Sequence, residues 1–189
     1  PMLTHGYILS GLTYVRLNKK DLAKKAFIKA LEIRPGAPDA SSNLAVFAIE
    51  EGNTERAREL LENAFSHNPE HLTIILLLAE LEANTGHLKR ALKIIEQART
   101  KHPDSLSLRL AQAEVQLAEG NAKQALAILE PALKLFPTNF KLLELVGIAR
   151  LKTQALDDAL AVLQLAAEIS PEAIAPHYYL GLAFEKLKE

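Results

Sequence analysis

The sequence contains no cysteine and no tryptophan, and aromatic residues make up only 5% of its 189 residues. Without cysteine there can be no disulfide, no thiolate metal site and no cysteine nucleophile, although this absence leaves the cellular compartment open. The longest apolar run, Leu72–Ala79, is far too short to span a bilayer. We therefore expect no membrane span in this chain.

Neither sign of charge dominates, because 22 Lys and Arg face 23 Asp and Glu, mixed along the chain. A nucleic-acid-binding surface needs a basic stripe to neutralise phosphates, so nucleic acid is not expected as a partner. The 49% of hydrophobic and 24% of charged residues are typical of an ordinary folded protein. The chain stops in mid-pattern and carries no targeting signal, so we interpret it as a fragment of a longer protein.

The prolines reveal an internal repeat. Five of the nine prolines recur one period of 34 residues apart, at Pro35, Pro69, Pro103, Pro137 and Pro171. Three columns keep the same period: an alanine twelve positions before each proline, a large apolar residue eight before it, and a second alanine five before it. A small residue stands 24 before each proline, and the next repeat continues this column with Gly181. Such a fixed period is the signature of a repeat architecture.

Each repeat contains two windows in which apolar residues recur three and four apart, which predicts two amphipathic helices. Leu44, Phe47 and Ala48 belong to the first window of one repeat, and Leu60 and Leu61 to the second. A glycine breaks the pattern between the windows in three repeats, as expected at the end of a helix. The proline then ends the second helix, because it lacks an N–H donor and restricts the residue before it.

This pattern resembles the tetratricopeptide repeat (TPR), a helix-turn-helix unit of about 34 residues. Two stretches carry the motif nearly whole: Tyr7, Gly11, Tyr14, Ala23, Phe27 and Pro35 in the first repeat, and Leu180, Gly181 and Phe184 in the last. The departures are local, since Ser10, Arg109, Gln112 and Gln116 replace large apolar residues. The resemblance implies an all-α fold, a right-handed α-solenoid of antiparallel helix pairs known as the TPR superhelix.

The period places five full repeats at 4–37, 38–71, 72–105, 106–139 and 140–173. The first helix of a sixth repeat follows at 174–189. One helix pair cannot bury its apolar face alone, so the repeats must stack on one another. We therefore predict a single array over 1–189.

No set of residues predicts a chemical reaction. His67 and His71 are four apart, but Pro69 between them prevents the shared helix face that a zinc pair needs. No glycine-rich phosphate loop follows a strand, because no strand is predicted. We expect no catalytic residue, no metal site and no cofactor, and we do not expect an enzyme.

In the TPR family the first helices of successive repeats line an inner groove in which ligand segments lie. Projection of each first helix at its helical period predicts an apolar face with a few acids opposite the packing columns. That face includes Val15, Ser42, Leu151 and Leu182. The twelve residues on it that we predict to bind a partner are Ile8, Leu12, Val46, Ile49, Leu76, Glu80, Leu110, Glu114, Leu117, Glu144, Ile148 and Tyr178. The alternative is that these side chains pack against neighbouring repeats and the acids are merely solvated.

One family ligand is not expected. TPR domains that clamp the carboxylate tail of heat-shock chaperones use Lys, Asn and Arg on three successive first helices. The matching positions here are Ile8, Leu12, Asn43, Thr73 and Leu77, of which only Asn43 fits.

The leading hypothesis is a non-enzymatic scaffold whose groove binds a protein or peptide segment that is apolar and brings a basic residue to the acids. A second hypothesis starts from the Ala-, Leu- and Gln-rich texture, which resembles bacterial TPR lipoproteins that accompany exopolysaccharide assembly and protein sorting. It places the parent in the periplasm or at the outer membrane rather than in the cytoplasm. A third is a structural spacer that forms homo-oligomers through its open C-terminal repeat, near Tyr179, Leu180 and Phe184.

Overall fold

The computed structural model describes residues 2–188, and within that range it contains eleven α-helices and no strand. The helices are α1 (Met2–Arg16), α2 (Lys20–Ile33), α3 (Pro38–Glu50), α4 (Thr54–His67), α5 (Leu72–Asn84), α6 (Leu88–Lys101), α7 (Leu106–Ala118), α8 (Ala122–Leu135), α9 (Phe140–Lys152), α10 (Leu156–Ile169) and α11 (Ile174–Lys188). The chain divides into two compact units, Pro1–Lys101 and His102–Glu189, which hold α1 to α6 and α7 to α11.

In the first unit the helices pack as the pairs α1 with α2, α3 with α4, and α5 with α6. The short links within these pairs make the partners antiparallel neighbours. Each pair then packs on the next through α2 against α3 and α4 against α5, and the odd-numbered helices also contact their odd-numbered neighbours.

The second unit repeats this arrangement. Helix α7 pairs with α8 and α9 with α10, while α8 packs against α9 and α10 against α11. Helix α9 contacts both α7 and α11. Each unit is therefore a stack of helix pairs, and the all-α solenoid class predicted from the sequence is confirmed.

The repeated sequence columns form the core. The large apolar column is fully buried at Phe27, Leu61, Ile95, Leu129 and Leu163, as is the first alanine column at Ala23, Ala57, Ala91, Ala125 and Ala159. Two glycines face this column at close range. A Cβ at Gly11 would lie 2.5 Å from the ring of Phe27, and a Cβ at Gly147 would lie 2.5 Å from Leu163. The helices approach this closely because both glycines lack a side chain.

The turns within the pairs share one backbone conformation, which recurs once in each repeat. Gly52, Gly86 and Gly120 have φ of 75°, 84° and 85°, the left-handed conformation that ends many helices. Asn18 and Gln154 hold the same place in the first and fifth repeats with φ of 55° and 65°. Turn geometry is therefore kept even where the glycine is replaced.

Candidate partner-binding surface

All twelve residues predicted to bind a partner lie on odd-numbered helices, the first helices of the repeats. In the first unit, α1 carries Ile8 and Leu12, α3 carries Val46 and Ile49, and α5 carries Leu76 and Glu80. In the second unit, α7 carries Leu110, Glu114 and Leu117, α9 carries Glu144 and Ile148, and α11 carries Tyr178. The structure separates these residues by burial.

The first unit presents exposed apolar side chains on two contacting helices, α1 and α3. Leu12, Val46 and Ile49 are 37%, 39% and 40% exposed. We name these three residues the α1–α3 patch. Ile8 is buried and packs in the core instead. A partner segment would therefore meet the patch rather than Ile8.

In the second unit Tyr178 is the most exposed residue of the predicted face, at 60%. Leu117 is buried and belongs to the core cluster, against which Leu110 and Ile148 also pack. Leu76 of the first unit is likewise half-buried. Leu76, Leu110 and Leu117 thus differ from Leu12 of the α1–α3 patch, because most of their surface is covered by packing.

The acids of the predicted face differ in their surroundings. The Nζ of Lys141 lies 3.0 Å from the carboxylate of Glu114 and 3.2 Å from that of Glu144, which is itself buried. Glu80 is exposed and forms no ion pair with any residue in 2–188. Glu114 and Glu144 are therefore paired with a lysine of the same chain. This weakens the prediction that these two acids bind a basic residue of a partner.

The ammonium group of Lys141 has a raised pKa in the folded chain. Burial by itself lowers its pKa, but the hydrogen bond to Glu114 and the charges of Glu114 and Glu144 outweigh that effect, so the pKa is raised above 10.5. Lys141 consequently stays protonated at neutral pH and fixes the two carboxylates.

A buried charge cluster was missed at the sequence level. Glu82 of α5 is fully buried, and its carboxylate lies 2.9 Å from the Nε of Arg58, 3.2 Å from Arg90 and 3.0 Å from the Nδ1 of His87. Arg58 also donates to Thr85 at 3.1 Å. The cluster ties α4, α5 and the start of α6 together, so its role is structural.

The second unit also contains a cavity of about 230 Å³ between α9 and α11. Ile148, Leu151, Tyr179 and Leu182 supply its apolar wall, and three polar residues, Lys152, Gln154 and Lys186, complete the lining. Ile148, Leu151 and Leu182 lie on the face projected from the sequence, and of these three only Ile148 is among the twelve residues predicted to bind. The cavity lies on two odd-numbered helices, so it extends the candidate surface toward their C-terminal ends.

The described residues form neither a metal-ligand cluster nor a membrane-spanning helix. No three His, Asp or Glu side chains within 2–188 are grouped as metal ligands would be. None of the helices described there combines the length and the apolar character needed to cross a bilayer.

Sequence comparison identifies the family. The model of the tetratricopeptide repeat matches residues 18–62, 48–115 and 116–182. The chain therefore belongs to the TPR family, whose stacked repeats form extended binding surfaces and generally act as non-enzymatic scaffolds for protein–protein interaction. No curated protein matches the chain.

Solved structures share the fold. The pilF protein of Pseudomonas aeruginosa is 21% identical, with a TM-score of 0.81 over 99% of this chain and 86% of that one. TTC0263, a TPR protein of Thermus thermophilus, is 24% identical, with a TM-score of 0.73 over 96% and 99%. YrrB, described as a TPR protein with an unusual peptide-binding site, is 19% identical, with a TM-score of 0.67 over 91% and 89%. At these identities the likeness concerns the fold alone.

Proposed function

We propose that this chain is a non-enzymatic scaffold that binds a polypeptide segment on the odd-numbered helices of its units. The observation that carries the proposal is the α1–α3 patch, where Leu12, Val46 and Ile49 are exposed on neighbouring first helices. Apolar side chains on a folded surface are suited to a partner when they are grouped on adjoining elements. The peptide-binding site described for YrrB is consistent with such a role for this fold.

The proposal is tested by Val46→Glu combined with Ile49→Glu. The matched control is Leu22→Glu combined with Ile28→Glu, because Leu22 and Ile28 are exposed at 42% and 47% on α2, an even-numbered helix. Both proteins and the parent are immobilised, and proteins retained from an extract of the source cells are quantified by mass spectrometry. We expect a specific protein to be retained by the parent and the control but lost from the α1–α3 variant. Equal retention by both variants would contradict the assignment of the surface.

Self-association through α11 is a second candidate function. Gly11 and Gly147 each accommodate a large side chain of the next helix, whereas a Cβ at Gly181, the equivalent position in α11, would meet nothing within 4 Å. Tyr178 and Phe184 are exposed on the same helix at 60% and 48%. The open space at Gly181 and the exposed rings of Tyr178 and Phe184 form a surface on α11 that can receive an apolar side chain from another copy of the chain.

Sedimentation velocity of the parent and of Phe184→Glu tests this candidate. We expect a concentration-dependent dimer of the parent and a monomer of the variant. Leu165→Glu on α10 is the control, since Leu165 is similarly exposed on an even-numbered helix. A parent that stays monomeric up to millimolar concentration would exclude self-association.

A role at a bacterial cell envelope, in exopolysaccharide assembly or protein sorting, is a finer form of the scaffold proposal. Its support is that the repeats are rich in Ala, Leu and Gln, as in the bacterial TPR lipoproteins named above. Fractionation of source cells with an antibody against this chain tests it. Recovery with the envelope is expected, and recovery in the cytosol would contradict it.

A further inference from the structure

The cavity between α9 and α11 has the size of a binding site for a side chain. Its volume is about 230 Å³, whereas an apolar cavity of about 150 Å³ in another protein holds a benzene molecule. One leucine- or phenylalanine-sized side chain therefore fits, and a whole small protein element does not.

The chemistry of the wall indicates what would enter. Ile148 and Leu151 of α9 face Tyr179 and Leu182 of α11, so the interior accepts an apolar group. The side chain of Tyr179 is partly buried and packs against the core cluster that contains Leu151 and Ala183, and its ring makes an edge contact with Tyr178, with centroids 5.2 Å apart. The ring's position against the wall is thus defined before any ligand arrives, which lowers the entropic cost of binding.

The charge at the cavity is of one sign. Lys152 and Lys186 are the charged residues of the lining, which includes no carboxylate. A lysine in the last turn of a helix is favoured by the helix dipole in any case, so the two lysines alone would not indicate a site. The placement of Lys152 and Lys186 on two different helices, around one apolar cavity, does indicate a binding site.

The two ends of helix α9 differ in whether their lysine is paired with an acid. Lys141, near its start, is held between Glu114 and Glu144. Lys152, at its end, forms no ion pair with any of residues 2–188, and neither does Lys186. The positive charge near the start of α9 is therefore satisfied within the chain, and the charge beside the cavity is available to an anionic group.

We propose that this cavity binds a peptide segment in which an aliphatic or aromatic side chain stands beside an aspartate or glutamate. The apolar side chain fills the cavity, and the neighbouring carboxylate accepts hydrogen bonds from the ammonium groups of Lys152 and Lys186. Neither lysine is among the positions compared with the chaperone-tail clamp. The inference rests on the proposed scaffold function and names the chemistry of the partner at this site.

Selection from a random twelve-residue peptide library displayed on phage tests the proposal. The purified chain is compared with Lys152→Glu combined with Lys186→Glu. The control is Lys123→Glu combined with Lys134→Glu, because both lysines lie on α8 in the same unit, away from the cavity lining. We expect peptides with Leu, Ile or Phe next to Asp or Glu to be enriched on the parent and on the control, and not on the cavity variant.

Affinities of an enriched peptide are then measured by fluorescence anisotropy. The synthetic peptide carries a C-terminal amide, so that any carboxylate comes from a side chain. We expect the cavity variant to bind it about tenfold or more weakly, and the control within about twofold. Replacing the peptide's acid by its amide should weaken binding to the parent and have little further effect on the cavity variant. Circular dichroism confirms that all three proteins are folded.

The possible failures are distinguishable. Enriched peptides that lack acids, or that bind the parent and the cavity variant equally, would overturn the cavity proposal and leave the scaffold proposal standing. A library from which the folded parent enriches no peptide at all would contradict both.

Discussion

The two units build the same helix stack with different side-chain chemistry at equivalent positions. In the first unit Arg58 of α4 reaches the fully buried Glu82. In the second unit the position two repeats after Arg58 is Leu126, which packs against the core cluster. The fold therefore depends on the repeated alanine and large apolar columns, and the positions between those columns can be either charged or apolar.

A second repeat position also carries an ion-paired residue in the first unit and a leucine in the second. In the first unit Lys20 binds Glu50 at 2.8 Å, and Lys24 binds Glu51, so α2 is tied to the end of α3. Four repeats after Lys24, the chain has Leu160. Leu160 packs with the smaller core cluster of the second unit. At this position of the repeat, charge connects successive repeats in the first unit and leucine packing does so in the second.

The largest expected effect is the loss of the arginine that faces the buried acid. Arg58→Met should lower the free energy of unfolding by about 3 kcal/mol, because it leaves Glu82 buried with fewer compensating charges. Leu126→Met, its counterpart in the second unit, should cost less than about 1.5 kcal/mol because shape and polarity are nearly kept. Urea unfolding measures both.

A second variant shows whether the incompletely compensated charge of Glu82 is the cause of the lost stability. Arg58→Met combined with Glu82→Ala should recover much of the lost stability, since Ala48 holds the position of Glu82 in the preceding repeat. An Arg58→Met protein no less stable than Leu126→Met would refute the distinction between the units.

The second prediction compares two glycines of the second unit. Gly147→Ala should lower stability by about 1–3 kcal/mol, because its Cβ would collide with Leu163. Gly181→Ala should be neutral or stabilise the protein by up to about 1 kcal/mol, since nothing lies within 4 Å and alanine favours the helix. Thermal unfolding of both variants decides the matter, and equal shifts in Tm would mean that α9 and α10 are not in close contact at Gly147.

The third prediction concerns the turns. Gln154 has φ of 65°, the conformation that Gly120 adopts one repeat earlier. Gln154→Gly should raise the free energy of unfolding by about 1 kcal/mol by relieving backbone strain, and Gly120→Ala should lower it by a similar amount. If the glycine substitution destabilises the chain, the side chain of Gln154 has a packing role that outweighs the strain.

The smallest effect is a dependence on pH. The pKa of Lys141 is raised in the folded chain, so its contribution to stability is fully present below its unfolded value near 10.5 and is lost as pH rises through the folded value. The stability difference between the parent and Lys141→Met should therefore shrink above pH 10.5. The difference for Arg58→Met should persist there, because a guanidinium stays protonated. A Lys141 difference that is constant up to the most alkaline pH at which the chain folds would contradict the ion-pair assignment.

The period made much of the fold predictable. A column that recurs once in every repeat must occupy one structural environment, so the buried places of Phe27, Ala125 and Leu163 could be derived from spacing alone. The left-handed conformation of Asn18 and Gln154 could also have been inferred from the same period, because both align with turn glycines.

Three features could not be predicted from the sequence, because they depend on how neighbouring repeats pack. Arg58 and Glu82 lie on different repeats, and in the sequence each resembles an ordinary solvated charge. Ile8 and Leu12 were placed on one face by helical periodicity, yet one is buried and the other exposed, because neighbouring helices cover them unequally. The cavity likewise arises from the spacing of α9 and α11, which no single helix encodes.

The most direct test of the scaffold account is site-specific photo-crosslinking in the source cells. A benzophenone amino acid replaces either Ile49 of α3 or Ile28 of α2, which are exposed at 40% and 47%. If the partner binds on the odd-numbered helices, a discrete protein adduct forms from position 49 and none forms from position 28. Adducts of the same protein from both positions, or from position 28 alone, would contradict binding on the odd-numbered helices.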